Sequence, residues 1–147
     1  MNKTLNFDKF LIFDGGMGTM LQAFGMEAGE LPEIYNIKAP DIIEKIHKAY
    51  INSGAHVITT NTFGANRFKL NSTSFSLQDV ITQGVKIAKT AANDQRVALD
   101  IGPLGQLMEP YGSLSFDEAY EAFKEQVIAG ADAGADLILI ETMSDVY

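Results

Sequence analysis

The chain has no cysteine and no tryptophan, only four prolines, and 11 basic residues against 19 acidic ones. Without cysteine there is no disulfide, no thiol nucleophile and no thiolate metal site built from these residues alone. The deficit of positive charge, formally −8 net, makes the surface repel phosphate backbones. No basic stripe with interleaved aromatics offsets it, so nucleic acid is not an expected partner. No apolar run approaches the ~20 residues that cross a bilayer. The opening residues, with Asn2, Lys3, Thr4, Asn6 and Asp8, lack the apolar core of a signal peptide. No membrane partner is expected, and a cytoplasmic protein is the simplest reading.

What the chain does have is a repeated grammar. Four short apolar runs each end on a polar or glycine-rich knot. Phe10-Leu11-Ile12-Phe13 runs into Asp14-Gly15-Gly16, and Val57-Ile58-Thr59-Thr60 into Asn61-Thr62-Phe63-Gly64. Val97-Ala98-Leu99 runs into Asp100-Ile101-Gly102-Pro103, and Leu137-Ile138-Leu139-Ile140 into Glu141-Thr142. Runs this short and apolar suit strands of a parallel sheet covered on both faces. Ligands of parallel α/β folds sit at the carboxyl ends of the strands, so Asp14, Asn61, Asp100 and Glu141 are expected to face one mouth.

Helical patterns fill the intervals. Pro40 suits a first turn, Ile42, Ile43, Ile46, Ala49 and Tyr50 form one face, and Gly54 is the stop. Ser76 and Ser115 each precede an acid by three residues, the pattern of a capping box. Met17 to Phe24 suits a short helix after the first strand. Ser53-Gly54-Ala55-His56 and Ala133-Gly134-Ala135-Asp136 echo each other as tight helix-to-strand turns. The strand-end markers recur 47, 39 and 41 residues apart. An eight-unit barrel on that pitch needs roughly 300 residues, within the range of the fold. The expected class is therefore α/β: a (β/α)8 TIM barrel of which residues 1–147, read as one unit, supply the first four βα units. The end at Tyr147, where a helix is due, suggests a fragment.

Asp14 and Glu141, from different strands, would attract a cation, and an ammonium offers three donors to their acceptor-only oxygens. Gly15 and Gly16 allow close backbone approach, and the N–H groups that follow could hold a carboxylate, so that the two sites together would hold a zwitterion. Asp14 could equally cap the helix at Met17. Glu141 after Leu-Ile-Leu-Ile would be buried without a partner unless it has a functional one. Asp100 either lines the mouth or braces its turn. His47, on the first long helix, and His56, at the amino end of a strand, are read as structural. Phe63, Phe68, Met108 and Tyr111 either wall a pocket or belong to the core.

Five motifs occur in one order: Asp14-Gly15-Gly16-Met17-Gly18-Thr19, Asn36-Ile37-Lys38-Ala39-Pro40, Thr60-Asn61-Thr62-Phe63-Gly64-Ala65-Asn66-Arg67, Asp100-Ile101-Gly102-Pro103 and Glu141-Thr142-Met143-Ser144-Asp145. In this the chain resembles the amino-terminal half of the homocysteine S-methyltransferase family, in particular the homocysteine-binding domain of its cobalamin-dependent bacterial branch and their bifunctional relatives. The resemblance implies a (β/α)8 barrel that transfers a methyl group to the sulfur of homocysteine, giving methionine. It implies that Asp14 and Glu141 hold the substrate's amino group and that Gly15 and Thr60 line the substrate site. With Gly16, Asn61 and Asp100 from the strand ends, these are the candidate binding residues; none is read as catalytic or as a metal ligand. The resemblance also implies zinc held by three cysteine thiolates from the second half of the barrel, which this chain lacks, and in some members cobalamin as methyl carrier. The methyl donor is not legible. An isolated half-barrel is expected to self-associate through its unpaired edge strands. The alternative is a self-contained four-strand α/β module that binds a metabolite or partner without catalysis.

Overall fold

The computed structural model describes residues 10–144; Asn2 to Asp8, Asp145 and Tyr147 lie outside the described residues. Three of the four apolar runs become strands of one parallel sheet: β1 (Val57–Thr59), β2 (Arg96–Ile101) and β3 (Leu137–Ile140), in the order β1-β2-β3. The register sets Val57 beside Arg96, Ala98 beside Leu137 and Ile101 beside Ile140.

The expected first strand is corrected. Phe10 to Phe13 lies alongside β1 but makes only the isolated bridge of Phe13 with Val57. The Ile12 carbonyl accepts two consecutive N–H groups, from His56 at 2.7 Å and Val57 at 3.2 Å. On either side of this bridge the next N–H groups go to side chains, Ile12 N–H to His56 Nδ1 and Thr59 N–H to Asp14 Oδ2, so the ladder does not propagate. The expected four βα units therefore appear as a three-strand sheet with a tethered leading segment. β2 is also longer than expected, so Asp100 lies inside the strand rather than after it.

The helices are α1 (Met17–Ala23), α2 (Tyr35–Lys38), α3 (Pro40–Asn52), α4 (Arg67–Leu70), α5 (Leu77–Ala91) and α6 (Phe116–Asp132), with a 3-10 turn at Pro32–Ile34. The two Ser signals act as read. The Ser76 hydroxyl accepts from Asp79 N–H, and Ser115 with Glu118 forms a complete capping box. Such a cap stabilises a helix by about 1 kcal/mol.

The echoed turns are the same motif twice. Gly54 and Gly134 take positive φ of 103° and 92°, a conformation that glycine adopts without a Cβ penalty. Ala55 N–H then reaches back to Tyr50 O, and Ala135 N–H to Gly130 O, closing each helix end. The next residue in each turn serves the neighbouring chain segment: His56 Nδ1 accepts from Ile12 N–H at 3.1 Å, and Asp136 Oδ2 from Val97 N–H at 2.8 Å. His56 is thus a structural acceptor at the amino end of the sheet.

The core lies between sheet and helices. Val80, Ile81 and Val85 of α5 meet Leu99 and Ile101 of β2 and Ala129 of α6. Each such side chain, fully buried, contributes about 1.5–3 kcal/mol of transfer free energy. β1 and β2 are buried on both faces, whereas β3 alternates, leaving Ile138 48% and Ile140 65% exposed. Phe116 and Tyr120 of α6 are also exposed and line, with Phe123, Leu104 and Ile140, an apolar groove of about 1000 Å³. Among the described residues, no helix is long and apolar enough to cross a membrane.

Candidate functional site

Parallel strands bring their carboxyl ends to one side, where a cleft of about 630 Å³ opens. All seven candidate residues, Asp14, Gly15, Gly16, Thr60, Asn61, Asp100 and Glu141, line it, together with Phe13, Met17, Pro32, Glu33, Phe63 and Thr142 among others. No lysine, arginine or histidine is among the described lining residues.

Asp14 is held by β1. Thr59 N–H donates to Oδ2 at 2.9 Å and the Thr59 hydroxyl to Oδ1 at 3.0 Å. Of the two earlier readings of Asp14, the helix cap fails: α1 starts at Gly16 with no side-chain cap. Burial raises the Asp14 carboxyl to about 6 against the pull of the Thr59 bonds, with a smaller contribution from Glu141. Gly15 is required by proximity, since a Cβ there would stand 2.9 Å from the Tyr50 hydroxyl. That hydroxyl donates to Gly16 O, which also accepts from the Thr19 hydroxyl.

Thr60 and Asn61 face the cleft, but their polar groups are committed elsewhere. Asp100 N–H donates to Thr60 Oγ1 at 3.1 Å, and Thr62 Oγ1 donates to Asp100 O at 2.8 Å. The Thr62 proton being committed there, Thr60 must donate to Thr62 across their 2.6 Å contact. A closed ring of hydrogen bonds thus clamps the end of β1 to the backbone of Asp100. Asn61 Nδ2 donates to Pro32 O and to Asn36 Oδ1, and Asn36 Nδ2 returns a bond to Asn61 O at 2.8 Å. The second and third sequence motifs therefore meet as a reciprocal, buried Asn36–Asn61 pair.

Asp100 lines the mouth rather than bracing a turn with its side chain. It is 9% exposed, and its Oδ1 has no partner among the described residues. Burial raises it to about 7, helped by the charges of Glu141, then Asp14, then Glu33. Glu141 is corrected in one respect: it is exposed rather than buried, because β3 is an edge strand and its flank is open. Its N–H makes the last sheet bond, to Ile101 O at 3.1 Å.

Among the lining residues that the sequence reading missed are Glu33 and Thr142. Glu33 is 3% exposed, with Oε1 accepting from Gly64 N–H at 2.6 Å and Oε2 without a partner among the described residues. Its signal was an acid inside the otherwise apolar stretch Leu31-Pro32-Glu33-Ile34. Thr142 follows Glu141 with φ of 57°, which no local pattern announces. Phe63 is a pocket wall, and Met108 and Tyr111 line the apolar groove instead. His47 is fully buried on α3, neither ring nitrogen has a partner among the described residues, and burial lowers it to about 4.

The fold and site are thus those of an α/β protein with an acid-lined cleft at the carboxyl ends of its parallel strands. Residues 11–147 match the homocysteine S-methyltransferase family, and the chain belongs to that family. It is 31% identical to the methionine synthase of Mycobacterium tuberculosis and 30% to that of Mycobacterium leprae, over 94% of this chain but 13% of each relative. The metallated form of the Escherichia coli homocysteine methyltransferase MmuM is similar in fold, with a TM-score of 0.81 at 24% identity over 94% of this chain and 56% of that one. The chain thus spans little more than half of that structure and a small part of the synthases.

The donor set does not fit the zinc that the family implies. The chain has no cysteine, and among the described residues no group of three or more His, Asp or Glu side chains is placed to hold a metal ion. Soft thiolate ligation has no source here.

Proposed function

We propose that the cleft binds the amino-acid moiety of homocysteine, and that the protein to which residues 1–147 contribute this half of a (β/α)8 barrel transfers a methyl group to the homocysteine thiolate, giving methionine. The observation that carries the reading is the convergence of Asp14, Asp100 and Glu141 on one cleft with no basic side chain among its described lining residues. A cluster of acceptor-only oxygens in a half-desolvated site favours a ligand that brings a cation with several donors, which a primary ammonium does. Asp14, at about 6, is mostly ionised at neutral pH and already oriented by Thr59, so little ordering is needed when the ammonium arrives. Activation of the thiol and delivery of the methyl group fall to residues outside this chain, and the methyl donor is unassigned.

The self-contained module is the weaker alternative, because such a unit would cover both faces of its sheet. Here Ile138 and Ile140 are left open. The test is titration of the isotopically labelled chain with L-homocysteine, followed by amide shifts. Saturable shifts at Gly15, Gly16 and Glu141, lost for an analogue without the amino group, are expected. Absence of any shift at millimolar ligand would sink the proposal.

A further inference from the structure

The strand alternation of β3 points one set of residues at the cleft and the other away from it. Leu139 and Glu141 line the cleft, whereas Ile140 lines the apolar groove on the opposite side. By that alternation Thr142 belongs with Ile140. Yet Thr142 lines the cleft beside Glu141. Its backbone explains the reversal: φ is 57°, and it is the one non-glycine residue of positive φ among the described residues. A β-branched side chain in that region is a genuine outlier, and such strain persists where surrounding structure imposes it.

The side-chain donors of the cleft can be accounted for one at a time. The Thr59 hydroxyl donates to Asp14 Oδ1. The Thr60 hydroxyl is closed into the ring with Thr62 and Asp100. Both N–H bonds of Asn61 go to Pro32 O and Asn36 Oδ1. Asp14, Glu33, Asp100 and Glu141 bring acceptor oxygens when ionised. With the carboxyls ionised, the Thr142 hydroxyl remains, among the described lining residues, as the uncommitted side-chain donor.

The geometry points to Thr142 as a ligand-contacting residue whose hydroxyl donates a hydrogen bond to the carboxylate of the bound amino acid. This rests on the proposed homocysteine site and deepens it. An amino-acid zwitterion in an acid-lined cleft has its ammonium well served, whereas its carboxylate meets, besides the backbone N–H groups of Gly15 to Gly18, surroundings hostile to negative charge. The left-handed turn after β3 supplies one, next to the carboxylate of Glu141, so that the two ends of the zwitterion are read by adjacent residues.

The test uses the full chain, L-homocysteine, and 3-aminopropane-1-thiol, which keeps the amine and thiol but lacks the carboxylate. Thr142→Val preserves shape and removes the hydroxyl. It should weaken homocysteine binding about tenfold, the range of a charge-assisted hydrogen bond, and leave binding of the analogue unchanged. Thr142→Ser should bind homocysteine within about twofold of the parent. Thr142→Gly relieves the backbone, so its melting temperature should rise by roughly 2–5 °C while homocysteine binding falls. Equal binding of homocysteine by parent and Thr142→Val, or an equal loss for the analogue, would overturn the assignment of Thr142 and leave the proposed function standing. A parent chain that binds neither compound would overturn the proposed function and this assignment with it.

Discussion

Asp14 and Thr59 are joined by two hydrogen bonds, one from the Thr59 N–H to Oδ2 and one from its hydroxyl to Oδ1. The same carboxylate thus fastens the leading segment to β1 and presents negative charge to the cleft. Asp14→Asn replaces one acceptor oxygen with a donor and should cost about 1 kcal/mol of stability in addition to weakening homocysteine binding. Thr59→Val separates the two roles, because it removes the hydroxyl bond but keeps the charge. It should lower the melting temperature while leaving homocysteine affinity close to the parent's. A Thr59→Val chain that loses affinity as fully as Asp14→Asn would mean that Asp14 acts only as a fastener.

The raised carboxyls make both stability and binding depend on pH, in opposite directions. Burial lifts Asp100 from 3.8 to about 7 and Asp14 from 3.8 to about 6. Between those limits the native chain holds more protons than the unfolded one, so their contribution to stability is full below 3.8 and is lost as pH rises through about 6 and about 7. An ammonium ligand wants the ionised forms, so its affinity should climb over the same interval. Asp100→Asn should flatten the upper part of the stability decline and be more stable than the parent above neutrality. Thermal melts and ligand titrations across the interval read both effects.

His47 works with the opposite sign. Burial lowers it from 6.5 to about 4, so the unfolded chain takes up the proton first. Stability attached to His47 is full above 6.5 and is lost as pH falls toward 4. His47→Leu should remove that acid sensitivity, since neither ring nitrogen has a partner to lose. His47→Ala is no neutral change at a fully buried position and should cost about 2–4 kcal/mol through the cavity it leaves. Equal acid midpoints for parent and His47→Leu would show that this histidine is not the group responsible.

The open flank of the sheet predicts self-association of the isolated chain. Among the described residues β3 has a strand neighbour on one side only, and Ile138, Ile140, Phe116 and Tyr120 are exposed around it. Unpaired edges with apolar faces are templates for pairing. Sedimentation should show mass increasing with concentration, and Ile138→Lys with Ile140→Lys should reduce it. A monomer of 16.0 kDa at every concentration would argue that the open flank is stable in water.

Metal analysis of the purified chain should find no stoichiometric zinc, and the chain alone should transfer no methyl group to homocysteine. The reason is ligand supply, because a catalytic zinc takes three protein ligands and the thiolate kind requires cysteine. About one tightly held zinc per chain would refute this.

Much of this was written locally. The three regular strands, the long helices α3, α5 and α6, the Ser caps and the paired Gly54 and Gly134 turns follow from periodicity and from residues with narrow conformational roles. These depend on neighbours a few positions away, which a sequence displays directly. The gathering of Asp14, Asn61, Asp100 and Glu141 was legible too, because parallel strands have a common carboxyl end. Tertiary structure alone decided how each polar group was spent. The Thr60–Thr62–Asp100 ring and the Asn36–Asn61 pair commit side chains that look free in the sequence. The left-handed turn at Thr142, which lines the cleft, is likewise invisible there. So is the failure of Phe10 to Phe13 to extend the ladder, where His56 and Asp14 side chains take the N–H groups that pairing would use. Hydrogen-bond partners up to 58 residues apart are chosen by the packed fold, and the sequence shows only which residues are able to take part.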